Sequence, residues 1–236
     1  MPIISLLDEI LRVDGISKQF VKKSIFGSKS SVVKAVDNVT FSLNKGDVLV
    51  IAGESGSGKS TIAKLILMAI NPDSGRIIFE GEQIKNEPKS LKKIRMQCQM
   101  VYQDPYDSIN PRMKVGDIVS EPLQIHNIGN VLERKKMIMD ALKEVKLEPT
   151  EEIVEKYPHM LSGGQRQRVV IARALVIRPK IIIADEPVSM LDVSIRAEIL
   201  ELMKEIQKKN NISFIYITHD LATARYFGQN IIILYL

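Results

Sequence analysis

Gly53-Glu54-Ser55-Gly56-Ser57-Gly58-Lys59-Ser60 follows the apolar run ending at Ala52 and precedes a stretch, Thr61–Ile70, that reads as a helix. The octapeptide fits GxxxxGK[ST], a glycine-rich loop set between a buried strand and a helix. Its glycines let backbone N–H groups turn inward and cradle phosphate oxygens. The following helix turns its positive end toward the same anion. In this reading Gly53, Glu54, Ser55, Gly56, Ser57, Gly58 and Thr61 form the cradle. Lys59 reaches the β- and γ-phosphates, and Ser60 ligates Mg²⁺. The strand-loop-helix context separates the pattern from a chance glycine-rich turn.

The flanking sequence reads outward from this loop. Asp47–Ala52 is a continuous apolar strand, and the helix Thr61–Ile70 stops at Asn71-Pro72. Asp73-Ser74-Gly75 is a turn, and Gly75–Gly81 a short strand. Upstream, Arg12–Val13 and Val32–Leu43 are Val-rich and partly alternating, as half-buried antiparallel strands are. The basic, Gly/Ser-bearing stretch Val21–Ser31 between them reads as a loop. Downstream, from Pro105 to Met160, apolar residues recur at helical spacing over Val131–Val145 and prolines punctuate the rest, as in an inserted helical subdomain. A helix over Gly164–Ile177, a buried strand Ile181–Ala184, a helix Val193–Lys208 and a buried strand Ile212–Thr218 follow. Ile195, Ile199, Leu202 and Ile206 make one buried face of the Val193 helix.

Apolar strands alternating with helices imply a mostly parallel sheet covered on both faces. The expected fold is therefore α/β: a P-loop NTPase core with a mostly parallel sheet, an N-terminal antiparallel β subdomain and an inserted α-helical subdomain. The chain is expected to form a single domain over 1–236. The β-rich subdomain and P-loop core occupy 1–103, the helical subdomain 104–165 and the remaining core 166–236. The apolar run Ile231–Leu236 ends without a polar cap, from which a C-terminal continuation is expected.

Composition narrows the function classes. Among 236 residues, 45% are hydrophobic and 26% charged, which excludes a disordered or fibrous chain. The 33 Lys+Arg against 28 Asp+Glu give a net charge of +5, which suits an anionic ligand or a membrane-proximal protein. It is too mild to argue for nucleic acid. Cys98 is the single cysteine, which excludes an internal disulfide and a Cys-built zinc site and points to a reducing, cytoplasmic compartment. No apolar run approaches the roughly 18 residues of a membrane helix. Met1–Glu9 has no basic leader region, so no signal peptide is expected. A membrane role would then require docking on something that spans the bilayer.

Two further stretches carry chemistry. Ile181-Ile182-Ile183-Ala184-Asp185-Glu186 delivers two carboxylates to the C-terminal end of a buried strand, where α/β sheets bind ligands. Asp185 would hold the Mg²⁺ shell and Glu186 polarise a water. Leu161-Ser162-Gly163-Gly164-Gln165 opens a helix: Ser162 is a good N-cap, and the glycines permit close approach to an anion. One chain thus carries two glycine-rich helix N-termini, far apart in sequence.

The P-loop, Leu161–Gln165, the Asp185-Glu186 pair and the later His219 resemble, in order and spacing, the nucleotide-binding subunit of ATP-binding cassette (ABC) transporters. The resemblance covers nearly the whole chain. It implies that Ser162, Gly163, Gly164 and Gln165 of one subunit cap an ATP held by the P-loop of another, so that two ATPs are sandwiched in a head-to-tail dimer. It implies also that Gln103 contacts Mg²⁺ and the attacking water, that Ser189–Asp192 is the family's D-loop, with Met190 a mild departure from its usual sequence, and that His219 bonds the γ-phosphate. An aromatic from the N-terminal β region stacks on adenine in this family, and Phe20, with Phe26 as runner-up, supplies a flat apolar face. His126 and His159 receive no role.

Gln103-Asp104-Pro105-Tyr106-Asp107-Ser108-Ile109-Asn110-Pro111-Arg112-Met113 and Lys156-Tyr157-Pro158-His159 are similar to runs of the oligopeptide/dipeptide importer class. That class implies a peripheral ATPase on the cytoplasmic face of the cell membrane. Its partners would be a second ABC ATPase subunit, identical or different, and transmembrane permease subunits. An extracytoplasmic solute-binding protein would act indirectly, and nucleic acid would take no part. Peptides are the commonest cargo of the class, with nickel and sugars among its relatives, and selectivity lies in the other chains. A soluble cassette ATPase acting on DNA or ribosomes is the rival reading, although the chain has neither a second cassette nor a long coiled-coil insertion. An inert cassette should lack Glu186 or His219, and a P-loop kinase leaves Leu161–Gln165 unexplained.

Overall fold

The register between the first two strands breaks repeatedly, and this explains why the sequence shows only a fragment of the first, Arg12–Val13, while Val32–Leu43 covers most of the second. β1 (Glu9–Lys22) pairs antiparallel with β2 (Ser31–Asn44), with irregularities between Val13 and Ile16, Ile16 and Lys18, and Lys18 and Gln19. Each irregularity shifts the inward side chains out of strict alternation, so Leu11, Val13 and Ile16 share the core face. The computed structural model describes residues 8–22 and 31–235. The expected loop Val21–Ser31 is shorter than it reads, since strand runs through Lys22 and resumes at Ser31. Phe26 lies outside the described residues.

Two compact units divide the chain. One takes the residues up to Arg95 with those from Tyr216 onward, and the other takes Met96–Ile215. In the first, β4 (Ser74–Phe79) and β5 (Glu82–Gln83) complete an antiparallel sheet of order β2-β1-β4-β5, the N-terminal β region expected from the sequence. β3 (Val48–Gly53) is buried almost throughout and pairs in parallel with β9 (Asn230–Leu234), from Leu49 opposite Asn230 to Gly53 opposite Leu234. The apolar C-terminal run forms this strand without being buried: Ile231 is 47% exposed and Ile233 51%. α1 (Lys59–Ile66) starts two residues earlier and stops four residues sooner than the pattern suggests, directly off the glycine loop. α2 (Pro88–Gln97), with Leu91, buried Ile94 and Met96 among mostly polar residues, has too few apolar positions to announce itself.

In the second unit β6 (Cys98–Val101) and β7 (Ile181–Asp185) pair in parallel. The helical insertion comprises α3 (Pro105–Ser108), α4 (Val115–Ile125), α5 (Val131–Glu144) and α6 (Thr150–Ile153). Asn130 and Glu133 form a reciprocal capping box that starts α5, which accounts for its sharp onset. α4 and α5 pack on α7 (Gly163–Leu175). The shared core includes Ile118, Val119 and Leu123 of α4, Leu142 of α5, and Val169, Val170 and Leu175 of α7. Each such side chain contributes about 1.5–3 kcal/mol by leaving water. α8 (Val193–Asn210) buries Ile199, Leu202 and Ile206 of the face read from its spacing and leaves Ile195 half-buried. β8 (Ser213–Thr218), buried throughout, carries the division between the units, and α9 (Leu221–Phe227) follows it.

Cys98 sits at the start of β6 with 1% of its surface exposed, and burial pushes its thiol pKa up. The thiolate is the reactive form, so the folded chain should resist alkylation. A thiol reagent added along a denaturant series is expected to modify Cys98 only across the unfolding transition. Stoichiometric labelling of the native chain by mass spectrometry would refute this.

Candidate nucleotide and phosphate site

The loop after β3 is closed by a Ser57 N–H that donates to the Glu54 carbonyl at 3.2 Å. Gly58 caps α1 with φ 93°, a left-handed conformation that L side chains rarely adopt. Its backbone also lies against β2: a Cβ at this position would stand 2.0 Å from the Ala35 carbonyl oxygen. Lys59, the first residue of the helix, is buried, and its ammonium donates to the carbonyls of Gly53 and Glu54, each at 2.7 Å. A buried ammonium needs such partners, and two of its three donors are thereby used. The Ser57 hydroxyl is buried and has no hydrogen-bond partner. A buried cation and an orphaned hydroxyl beneath a glycine loop fit a phosphate group, while Glu54, Ser55, Gly56 and Ser60 stay open to solvent and Thr61 is half-buried.

The structure places Phe20 on β1 opposite Val33 of β2, 42% exposed, which leaves ring surface for an aromatic ligand. The Lys18 ammonium stands 5.9 Å from its ring centroid and pairs with Asp73 at 2.6 Å. That hydrogen bond, with a second from the Gln19 N–H, holds the Asp73 carboxyl below its ordinary range. His219 is exposed at the end of β8. Its neighbours are fixed: the Asp220 N–H donates to Thr218 Oγ1 at 3.0 Å, and Asp220 caps α9 by accepting from the Ala222 N–H at 2.8 Å.

In the second unit the parallel register sets Val101 opposite Ala184. Gln103, two residues past Val101, and the Asp185-Glu186 pair therefore emerge at the same end of the β6–β7 pair. Asp185 is 9% exposed, Glu186 half-buried and Gln103 exposed. Glu186 has φ 47°, a conformation that costs a non-glycine residue roughly 1–2 kcal/mol. Such strain persists where neighbouring contacts hold it. The Ser189 hydroxyl and N–H both donate to the Glu186 carbonyl, at 3.0 and 3.2 Å, and close the turn that follows. Among the described residues no three His, Cys, Asp or Glu side chains gather as a metal site. Ser60 in the first unit, and Gln103 and Asp185 in the second, each carry an oxygen donor of the kind a hard cation such as Mg²⁺ takes.

Ser162 and Gln165 start α7 with a capping box: the Gln165 N–H donates to Ser162 Oγ at 3.2 Å, and the Ser162 N–H to Gln165 Oε1 at 3.0 Å. Between them Gly163 and Gly164 keep N–H groups with no helical partner, as a first turn must. The sequence reading missed the arginines that hold these segments. The Arg166 guanidinium lies 4.0 Å from the centroid of the Tyr106 ring, a cation–π contact. Arg173, one face of α7 further on, donates to the Ser108 carbonyl at 2.6 Å. Both grip α3, just beyond Gln103. Arg196 of α8 donates to the carbonyls of Leu191 and Ser189, at 2.7 and 3.2 Å. In sequence these three are indistinguishable from solvated cations.

Comparison with known proteins converges on one group. Residues 36–189 match the family described as ABC transporter. The oligopeptide transport ATP-binding protein AppF of Bacillus subtilis (strain 168) is 44% identical over 232 residues, 97% of this chain and 70% of that protein. The dipeptide transport ATP-binding protein DppF of Escherichia coli (strain K12) is 40% identical over 234 residues, 98% of this chain and 69% of that one. Among solved structures, the dimeric post-hydrolysis state of the ATP-binding cassette MJ0796, bound to ADP and Pi, aligns over 95% of this chain and 94% of its own with a TM-score of 0.81 at 31% identity.

Proposed function

The chain belongs to the ABC transporter family, and from that membership we propose that it powers an importer of peptides or a related small solute. It is an ATP-binding cassette ATPase. The observation that carries its phosphate chemistry is the buried Lys59 ammonium beside the orphaned Ser57 hydroxyl, under the loop Gly53–Ser60. The names of the relatives, oligopeptide and dipeptide transport proteins, support the cargo class.

The proposed roles follow from the chemistry of each group. Backbone N–H groups over Gly53–Thr61 bind the phosphates, Lys59 turns its remaining donor to them, and Phe20 stacks on the adenine. Ser60, Asp185 and Gln103 hold Mg²⁺, which when bound neutralises phosphate charge. Glu186 takes a proton from the attacking water, and His219 and Gln103 orient that water and the γ-phosphate. Ser162–Gln165 of a partner cassette, identical or different, closes over the nucleotide with its helix N-terminus. Hydrolysis then reopens the dimer.

No helix among the described residues is long and apolar enough to cross a membrane. From the transport names of its relatives we place the chain at the cytoplasmic face, against transmembrane permease subunits that a solute-binding protein loads from the other side. Calorimetric titration and phosphate release test the first half of the reading. ATP with Mg²⁺ is expected to bind and turn over, and EDTA to abolish turnover. Turnover with permeases in proteoliposomes should rise with peptide. Stimulation by RNA instead, with indifference to permeases, would overturn the importer reading.

A further inference from the structure

We infer that Arg196 is a positioning residue for Glu186, acting through the turn that joins β7 to α8. The inference rests on the ATPase reading of Glu186 given above. Glu186 opens this turn in a left-handed conformation, φ 47°, that a glutamate does not hold unaided. The near end is tied by Ser189, whose hydroxyl and N–H both reach the Glu186 carbonyl. The far end is tied by Arg196. Its Nε donates to the Leu191 carbonyl at 2.7 Å, and a terminal nitrogen of the same fork donates to the Ser189 carbonyl at 3.2 Å.

The choice of partners is informative. Asp192 lies four residues before Arg196, the spacing at which a helical arginine pairs with a carboxylate. Arg196 instead spends two donors on backbone carbonyls of a turn that α8 does not include. Half-buried and planar, the guanidinium bridges two carbonyls two residues apart, which a lysine ammonium on a flexible stem matches poorly. Ser189 is thus held from both sides: its side chain and N–H draw it to Glu186, and its carbonyl is drawn to α8. A guanidinium on the first turn of α8 thereby limits where the Glu186 backbone, and so its carboxylate, can sit. Arg196 touches no reacting atom in this account.

Hydrogen exchange on the intact chain tests the clamp without relying on activity. The Ser189 and Leu191 amides, which donate to Glu186 and Val188 carbonyls at 3.2 Å, report the turn. Arg196→Met keeps an unbranched apolar stem and removes the fork. It is expected to speed exchange at these two amides about tenfold or more while the amides of α8 and of Gly53–Ser60 keep their rates. Arg196→Lys should restore part of the protection. Turnover by the same samples should fall about tenfold in kcat with the KM for ATP near its wild-type value, since binding groups are untouched. Unchanged exchange in a folded variant overturns the clamp. Faster exchange with unchanged kcat overturns the positioning of Glu186. If the wild-type chain itself hydrolyses no ATP, the ATPase reading fails, and exchange still decides whether Arg196 holds the turn.

Discussion

Glu186→Gln is expected to bind ATP with Mg²⁺ and to lose turnover by about a hundredfold or more, the scale of a removed general base. Glutamine keeps the length and shape of the side chain and, like glutamate, must adopt the φ of 47° seen at this position. The Ser189 ties to the residue 186 carbonyl survive, because they are made to backbone. What is lost is the capacity to accept a proton from water. A cassette that closes on ATP and cannot hydrolyse it should remain closed. Light scattering should then show the 26.6 kDa chain at twice its mass with ATP and Mg²⁺, and at single mass without. A variant that turns over at the wild-type rate excludes Glu186 as the group acting on water. A variant that binds ATP and stays single shows that another ATPase chain supplies the opposing Ser162–Gln165, and co-expression with that chain should restore the closed pair.

The second large effect belongs to Gly58. Gly58→Ala meets two penalties at once: φ 93°, and a Cβ that would stand 2.0 Å from the Ala35 carbonyl oxygen. The first costs roughly 1–2 kcal/mol, and the second forces β2 and the loop apart, for a combined loss of about 3 kcal/mol or more. Gly81→Ala is the matched control. Its φ is 78°, and nothing lies within 4 Å of the added Cβ, so only the conformational cost remains. Denaturant melts should show the larger loss for Gly58→Ala. That variant should also lose ATP affinity by about a hundredfold, because the N–H groups beside Lys59 no longer converge. Equal destabilisation by the two substitutions would show that the Ala35 contact is relieved without cost.

Several elements were legible because their signals are local. The octapeptide Gly53–Ser60, the buried runs of β3, β7 and β8, and the spaced apolar face of α8 each announce themselves within one short window. β1 and α2 did not. The bulges of β1 break its alternation, and α2 fully buries one side chain, Ile94, with Leu91 and Met96 half-buried and most remaining positions polar. The run Ile231–Leu236 falls largely in β9, the strand its length suggests, with Ile231 and Ile233 half exposed.

The site divides along the same line. Residue type at fixed spacing, read with the family resemblance, put forward Lys59, Ser60, Gln103, Ser162, Asp185, Glu186 and His219 as candidates, because the chemistry of phosphate and water calls for those groups on short motifs. Only the tertiary structure decided what holds them. The Lys59 ammonium folds onto its own loop carbonyls, Arg166 stacks on a tyrosine sixty positions earlier, and Arg196 ties down the turn after Glu186. A motif fixes which atoms are present. The direction of a hydrogen bond and the burial of a charge depend on what the fold brings alongside, which no window of sequence contains.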